Sequence, residues 1–404
     1  MDRISLIRNH LVEIFLPVLL GLLLVPWQTA WCDENEAPSE APSEPPKSAA
    51  KSLVPPNIVT RTLGGLQFWS DVRIQHDWRI QRNAYTEHFR LLDAKDKRHA
   101  WGTRNHCEQE LQRFAREKNS PPLNGTVVLA LHGTVRSRDS MEMLCQRLRD
   151  NTDYTVFNVS YASTRMTIKD HAESLGEIIG HLDGAKEIHL VAHSMGNLVI
   201  RHYFGDHLPA DETQKPDPRI RRVVMLAPPN NGPKLARTFK QNPLFQIVWG
   251  VSGIEMANWT ELEKHLATPT CEFGIVAGRM SSAVSSNPLI PGNDDLVLAI
   301  EETKLAGARD FRLLRVNHST IMRNEAALDY TVKFLQHGYF ETDETRQPLD
   351  ESDVDQGKVQ RLDPDAPPAA LHQREIEGRA FQDDKGQTEI KGNSRDLGGS
   401  NRNE

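Results

Sequence analysis

Between Asn124 and Phe340 the chain repeatedly places a short, wholly apolar run ahead of a segment with helical spacing. Val127-Val128-Leu129-Ala130-Leu131 is the clearest of these runs. A strand of that composition has no polar face to offer to water, so it belongs in a sheet covered by helices on both sides. Strands of this kind are expected at Thr126–Leu131, Thr155–Ser160, Glu187–Ala192, Arg221–Leu226, Glu272–Ala277 and Phe311–Val316. Helices are expected between them at Ser140–Asp150, Thr167–Leu182, Asn197–Gly205 and Pro233–Lys240, with one more at Ser319–Gln336. Alternation of this type is the mark of βαβ units. The fold class is therefore α/β, a doubly wound, mostly parallel sheet with helices on both faces. In such a sheet ligands bind outside the carboxyl ends of the strands.

The two ends do not share this pattern. Arg3 and Arg8 precede an apolar stretch from Ile14 to Val25, followed by Pro26 and Ala30, the order of a secretory signal peptide over residues 1–32 with cleavage after Cys32. The stretch is shorter than the roughly 20 apolar residues that span a bilayer. Export to the periplasm or the extracellular space is expected, with an uncleaved membrane anchor as the alternative. Residues 33–56 are rich in Pro, Glu and Ser, and residues 341–404 are acidic and polar, so both are expected to be disordered. Gln356 occupies the position where a calcium loop needs Gly, and no calcium site is expected at 351–356. The low mean hydropathy of −0.53 is attributed mainly to these ends.

With 48 Lys and Arg against 55 Asp and Glu, the chain has no basic footprint for nucleic acid. Its 4 cysteines, Cys32, Cys107, Cys145 and Cys271, are too scattered for a disulfide framework or a structural zinc site. With Cys32 removed, at most one disulfide remains possible. Residues 57–123 are expected to form a structural extension, with a strand or hairpin around Trp78–Tyr85 and a helix capped near Asn105 and running to about Lys118. Residues 124–340 are then the main domain.

The expected strand Ile188-His189-Leu190-Val191 runs into Ala192-His193-Ser194-Met195-Gly196 and then into a helix. A serine between small residues at a strand-to-helix turn is a nucleophile elbow, and the helix N-terminus behind it favours developing negative charge. Serine needs a base to accept its proton and an acid to hold that base, in the chain order Ser, acid, His. Of 16 histidines, His318 alone sits after the last strand and before the last helix, where an imidazole reaches back to Ser194. The loop Pro291-Gly292-Asn293-Asp294-Asp295 offers the acid. Asp294 is preferred and Asp295 is the alternative, because spacing does not separate adjacent loop carboxylates. After the first strand, His132-Gly133-Thr134 allows the Thr134 and Met195 N–H groups to form an oxyanion hole. His132 and His193 are read as packing residues.

Leu131-His132-Gly133-Thr134, Val191 through Arg201, Val224 through Pro233, Gly292-Asn293-Asp294 and Val316-Asn317-His318 together resemble the lipase and esterase branch of the α/β-hydrolase superfamily, including bacterial triacylglycerol lipases and GPI inositol-deacylase-like enzymes. Ala192 stands where the family commonly has Gly, and Asp295 where its acid turn usually has Gly. The resemblance implies an α/β-hydrolase fold and a carboxylic ester hydrolase that acts on lipid or small ester substrates without metal or organic cofactor. An acyltransferase using the same residues, or a non-catalytic binding protein on this fold, are the alternative readings. The apolar stretch Pro243–Val251, within an insertion at about 242–270, is either a lid over an acyl pocket, with contact to a membrane surface, or a cap packed for stability.

Overall fold

The computed structural model describes residues 60–62, 67–119, 121–207, 215–280, 287, 289–290 and 293–355. The expected signal peptide, the linker at 33–56 and the tail beyond 355 lie outside these residues.

An antiparallel five-stranded sheet comes first, formed by β1 (Thr60–Arg61), β2 (Trp69–Gln75), β3 (Trp78–Asn83), β4 (Phe89–Leu92) and β5 (Lys97–Gly102), in the order β1-β5-β4-β3-β2. Helix α1 (Arg104–Glu117) packs Cys107 and Leu111 onto Val72, Trp78, Ile80, Leu91 and Ala100 of this sheet. The expected hairpin is thus only part of a larger element. The helix also begins earlier than expected: Thr103 Oγ1, not Asn105, accepts the His106 N–H. Asp71 joins this sheet to the rest of the molecule. Its buried carboxylate accepts from Arg79 Nη1 (2.7 Å), Gln81 Nε2 (2.8 Å) and the Ser160 N–H (2.8 Å), while the Asp71 N–H donates to the Ser160 carbonyl.

The central sheet contains β6 (Gly125–Leu131), β7 (Thr155–Val159), β8 (Ala185–His193), β9 (Ile220–Leu226), β10 (Glu272–Gly278) and β11 (Asp310–Leu314), all parallel. Each matches an expected strand to within two residues at either end. The strand order is β11-β10-β9-β8-β6-β7. Val127, Leu129 and Leu131 face a core shared with α3 (Ile168–Gly180) and α4 (Gly196–Asp206). Val128 and Ala130 face the opposite core, with Leu144 and Leu148 of α2 (Glu142–Asn151) and Leu328 and Leu335 of α9 (Glu325–His337). Both faces are covered, which accounts for the absence of polar alternation in the sequence.

Between β9 and β10 lie α5 (Lys234–Thr238), α6 (Pro243–Ala257) and α7 (Trp259–Leu262); α8 (Ile300–Thr303) precedes β11, and α10 (Glu351–Asp355) follows α9. Two expectations are corrected here. The helix expected at Ser319–Gln336 is a short 3-10 turn at Ile321–Arg323 followed by α9, because the Asn324 side chain accepts the Ala327 N–H and starts a new helix. The segment from 341 to 355, expected to be disordered, is tied to the domain. The Leu349 carbonyl accepts the Gly307 N–H, the Leu349 N–H donates to the Ala308 carbonyl, and buried Asp310 accepts the Gln347 N–H. The hydrogen-bonding demand of a buried acid orders a stretch that has little apolar surface of its own.

Candidate active site

The strand order reverses between β6 and β8, since β7 lies on one side of β6 and the remaining strands on the other. A crevice opens at the carboxyl ends of two such strands because their connections run in opposite directions. Ser194 follows β8 and His132-Gly133-Thr134 follows β6, so the two segments border that crevice. Ser194 has φ 53°, a left-handed conformation that non-glycine residues rarely adopt, and its N–H donates to the Leu226 carbonyl. The turn is close-packed. A Cβ at Gly196 would lie 2.8 Å from the His132 carbonyl oxygen, and one at Gly133 would lie 3.1 Å from Ser194 Cβ. Gly133 thereby brings the loop after β6 against the serine, with Thr134 next in the chain.

His318 follows β11 and is buried, and its Nε2 lies 2.9 Å from Ser194 Oγ. Its Nδ1 lies 2.8 Å from Asp295 Oδ2, and its backbone N–H donates to the Asp295 carbonyl. A carboxylate only accepts, so Nδ1 carries the proton and Nε2 is free to receive one from the serine hydroxyl. Asp295 Oδ1 accepts from the Val297 and Leu298 N–H groups, so both of its oxygens are held. Gly278 at the end of β10 makes room for this acid, since a Cβ there would meet Asp295 Cβ at 3.0 Å.

The preference for Asp294 is corrected. Its carboxylate is also buried, but its hydrogen bonds come from the Asn287 and Leu296 N–H groups, closing its own loop, while His318 Nδ1 goes to Asp295. Asp294 bridges to Ala299 in extended backbone, where successive side chains point to opposite sides. Burial, together with the charge of Asp295, raises the Asp294 carboxyl above its ordinary value, against the pull of those N–H donors.

Two further histidines flank the site. His193 Nε2 donates to the His318 carbonyl at 2.9 Å, and the rings lie 5.0 Å apart, so this residue braces the His318 backbone. Burial drives its imidazole well below 6.5. His132 stacks on Tyr161 at 4.1 Å, and burial pushes it down to about 4. Sequence reading missed the His193 contact because its acceptor is a backbone carbonyl remote in the chain. The motif residues Arg201 and Asn230 hold structure together: Arg201 Nη1 donates to the Asn230 carbonyl and Nε to that of Ala267.

The strand order, the left-handed serine after β8 and the histidine after β11 decide the architecture. The chain has the α/β-hydrolase fold. A family model described as a domain of unknown function, DUF7379, matches residues 91–271. No curated protein matches the sequence. Among solved structures, phospholipase PlaB from Legionella pneumophila is 18% identical, with 44% of this chain and 45% of that chain covered and a TM-score of 0.34. Lipase BlEst2 from Bacillus licheniformis, in propeptide form, is 16% identical over 50% of this chain and 48% of its own, with a TM-score of 0.36. A structure of the metagenome-derived lipolytic enzymes LipS and LipT gives 15% identity, 54% and 95% coverage and a TM-score of 0.37. The chain spans just under half the length of the first two. The fold stands on the strand order and the elbow rather than on these likenesses.

Above the fold core, α6 is capped by the Asn242 side chain, which accepts the Leu244 and Phe245 N–H groups, and is kinked at Gly250. Phe245, Met256 and Ala257 are buried, while Leu244 and Ile247 ahead of the kink and Val251 and Ile254 after it are exposed to solvent. Cys107, Cys145 and Cys271 are free thiols, so no disulfide joins the described residues. No helix among the described residues is long and apolar enough to cross a membrane.

Proposed function

We propose that this chain is an exported serine hydrolase of carboxylic esters with lipid-like acyl groups. The observation that carries the reading is the pair of contacts on one imidazole: Ser194 Oγ at 2.9 Å from Nε2 and Asp295 Oδ2 at 2.8 Å from Nδ1. Ser194 Oγ attacks the ester carbonyl as His318 Nε2 takes its proton, and Asp295 stabilises the imidazolium that forms. The oxyanion is received by the N–H groups of Thr134 and Met195. His318 returns the proton to the departing alcohol, leaving an acyl-enzyme. Water, deprotonated by His318, then releases the acid and restores the serine.

The lipid-like substrate class is supported by the exposed apolar side chains of α6, with Leu244 at 62% and Ile247 at 60% exposure. Through these side chains the lid rests on a lipid surface. Export is supported by the order of charge, apolar run and small residues within 1–32. Hydrolysis of medium-chain nitrophenyl esters tests the reading. Wild type turns over and Ser194→Ala loses activity to near background; equal rates in the two proteins would sink it.

A further inference from the structure

Gln67 stands just ahead of β2, outside the 91–271 segment matched by the family model, yet its amide reaches the active-site loop. Nε2 donates to the Arg136 carbonyl at 2.9 Å. Oε1 accepts from Thr164 Oγ1 (2.8 Å), the Thr164 N–H (3.0 Å) and Ser163 Oγ (3.1 Å). An amide is the neutral side chain that supplies a donor and an acceptor together, and both ends are engaged here.

What it holds is strained. Val135, between Thr134 and Arg136, has φ 58°. A β-branched residue in the left-handed region is a genuine outlier, and such a conformation persists where the surroundings over-determine it. The bond from Gln67 to the Arg136 carbonyl fixes the Arg136–Ser137 peptide, one residue beyond that strain. The same amide reaches the lid root. The Thr164 carbonyl accepts the Val251 N–H at 3.0 Å, beside Gly250, whose φ is 61° and where a Cβ would lie 1.9 Å from that carbonyl oxygen. Ser252 Oγ donates to the Met166 carbonyl, and Glu255 accepts the Ile168 N–H, so the lid helix is stitched along the same turn.

We propose that Gln67 is a positioning residue for the oxyanion loop, holding Val135 in its left-handed conformation so that the Thr134 N–H faces Ser194, and that through Thr164 it ties this loop to the hinge of the lid. The first sheet is on this view part of the active site. The inference rests on the ester hydrolase reading.

Gln67→Glu and Gln67→Ala in the full chain test it. Ionised Glu keeps acceptors for Ser163 and Thr164 but cannot donate to Arg136; Ala loses both. For nitrophenyl butyrate, kcat in Gln67→Glu falls by roughly tenfold or more, short of the loss on deleting an oxyanion donor outright. KM and melting temperature stay near wild type. Amide hydrogen exchange accelerates over 133–137 in both variants, and over 163–165 and 250–252 in Gln67→Ala alone. Unchanged kcat, or a fall in kcat accompanied by a matching fall in melting temperature, would overturn the proposal. If the wild-type protein hydrolyses no ester, the proposed function fails, and the exchange data alone decide: unaltered exchange over 133–137 overturns the positioning role and acceleration there supports it.

Discussion

Asp294 and Asp295 are neighbours in sequence, both buried, and engaged in different tasks. Asp295 holds the Nδ1 proton of His318 and Asp294 ties Asn287 to Leu296. Asp295→Asn is therefore expected to lower kcat for ester hydrolysis on the order of 10⁴-fold, because the amide can present its N–H to Nδ1 and stabilise the wrong tautomer. Asp294→Asn should leave kcat within a few-fold of wild type and lower the melting temperature through its loop. Kinetics and melts on the two variants separate the roles; the reverse ranking would return the acid to Asp294. Ser194 and His318 were legible because strand-to-helix context and chain order mark them. The acid loop was legible as a place but not as a residue, since facing is set by the clearance at Gly278 and by the His318 N–H on the Asp295 carbonyl. Gln67 left no signal, being a single amide ahead of an unremarkable strand.

At the scale of elements, the central strands could be read because both of their faces are buried and their composition is uninterrupted. The first sheet was only partly readable. Ser70, Asp71, Gln81 and Arg90 are all buried in it, and a buried polar network at these positions breaks the two-residue alternation that reveals a strand. The insertion was legible as an apolar stretch, but sequence alone left open whether it is a lid or a packed cap. Its exposed side chains carry their own prediction. If α6 is a lid, Ile247→Glu places a charge on its exposed surface, and activity on emulsified long-chain esters should fall several-fold while hydrolysis of soluble short-chain esters stays within about twofold, since a charge opposes apolar surface burial. Turnover on the two substrate forms, compared in wild type and variant, is the check, and parallel losses on both would point to a packed cap.

For the molecule as a whole, buried neutral histidines set the response to acid. Burial lowers His132 and His189 to about 4 and His171 to about 3 from an ordinary 6.5, and drives His193 well below 6.5 as well. The unfolded chain binds these protons first, so stability is intact above pH 6.5 and declines as pH falls from 6.5 toward 4. Among the described residues, neither ring nitrogen of His171 has a hydrogen-bond partner. His171→Leu should consequently lose less melting temperature than wild type over that interval; melts across the pH range test this, and parallel curves would contradict it.

The proposed hydrolysis turns on one oxygen, Ser194 Oγ, which lies against His318 Nε2 and which that imidazole would make nucleophilic. A fluorophosphonate probe measures this directly, because it reacts with an activated serine and leaves a stable adduct whose position mass spectrometry reads. Folded wild-type protein is expected to take up one equivalent, mapped to Ser194, and Ser194→Ala none; folded wild type that stays unlabelled, or a Ser194→Ala protein that labels equally, would contradict the account.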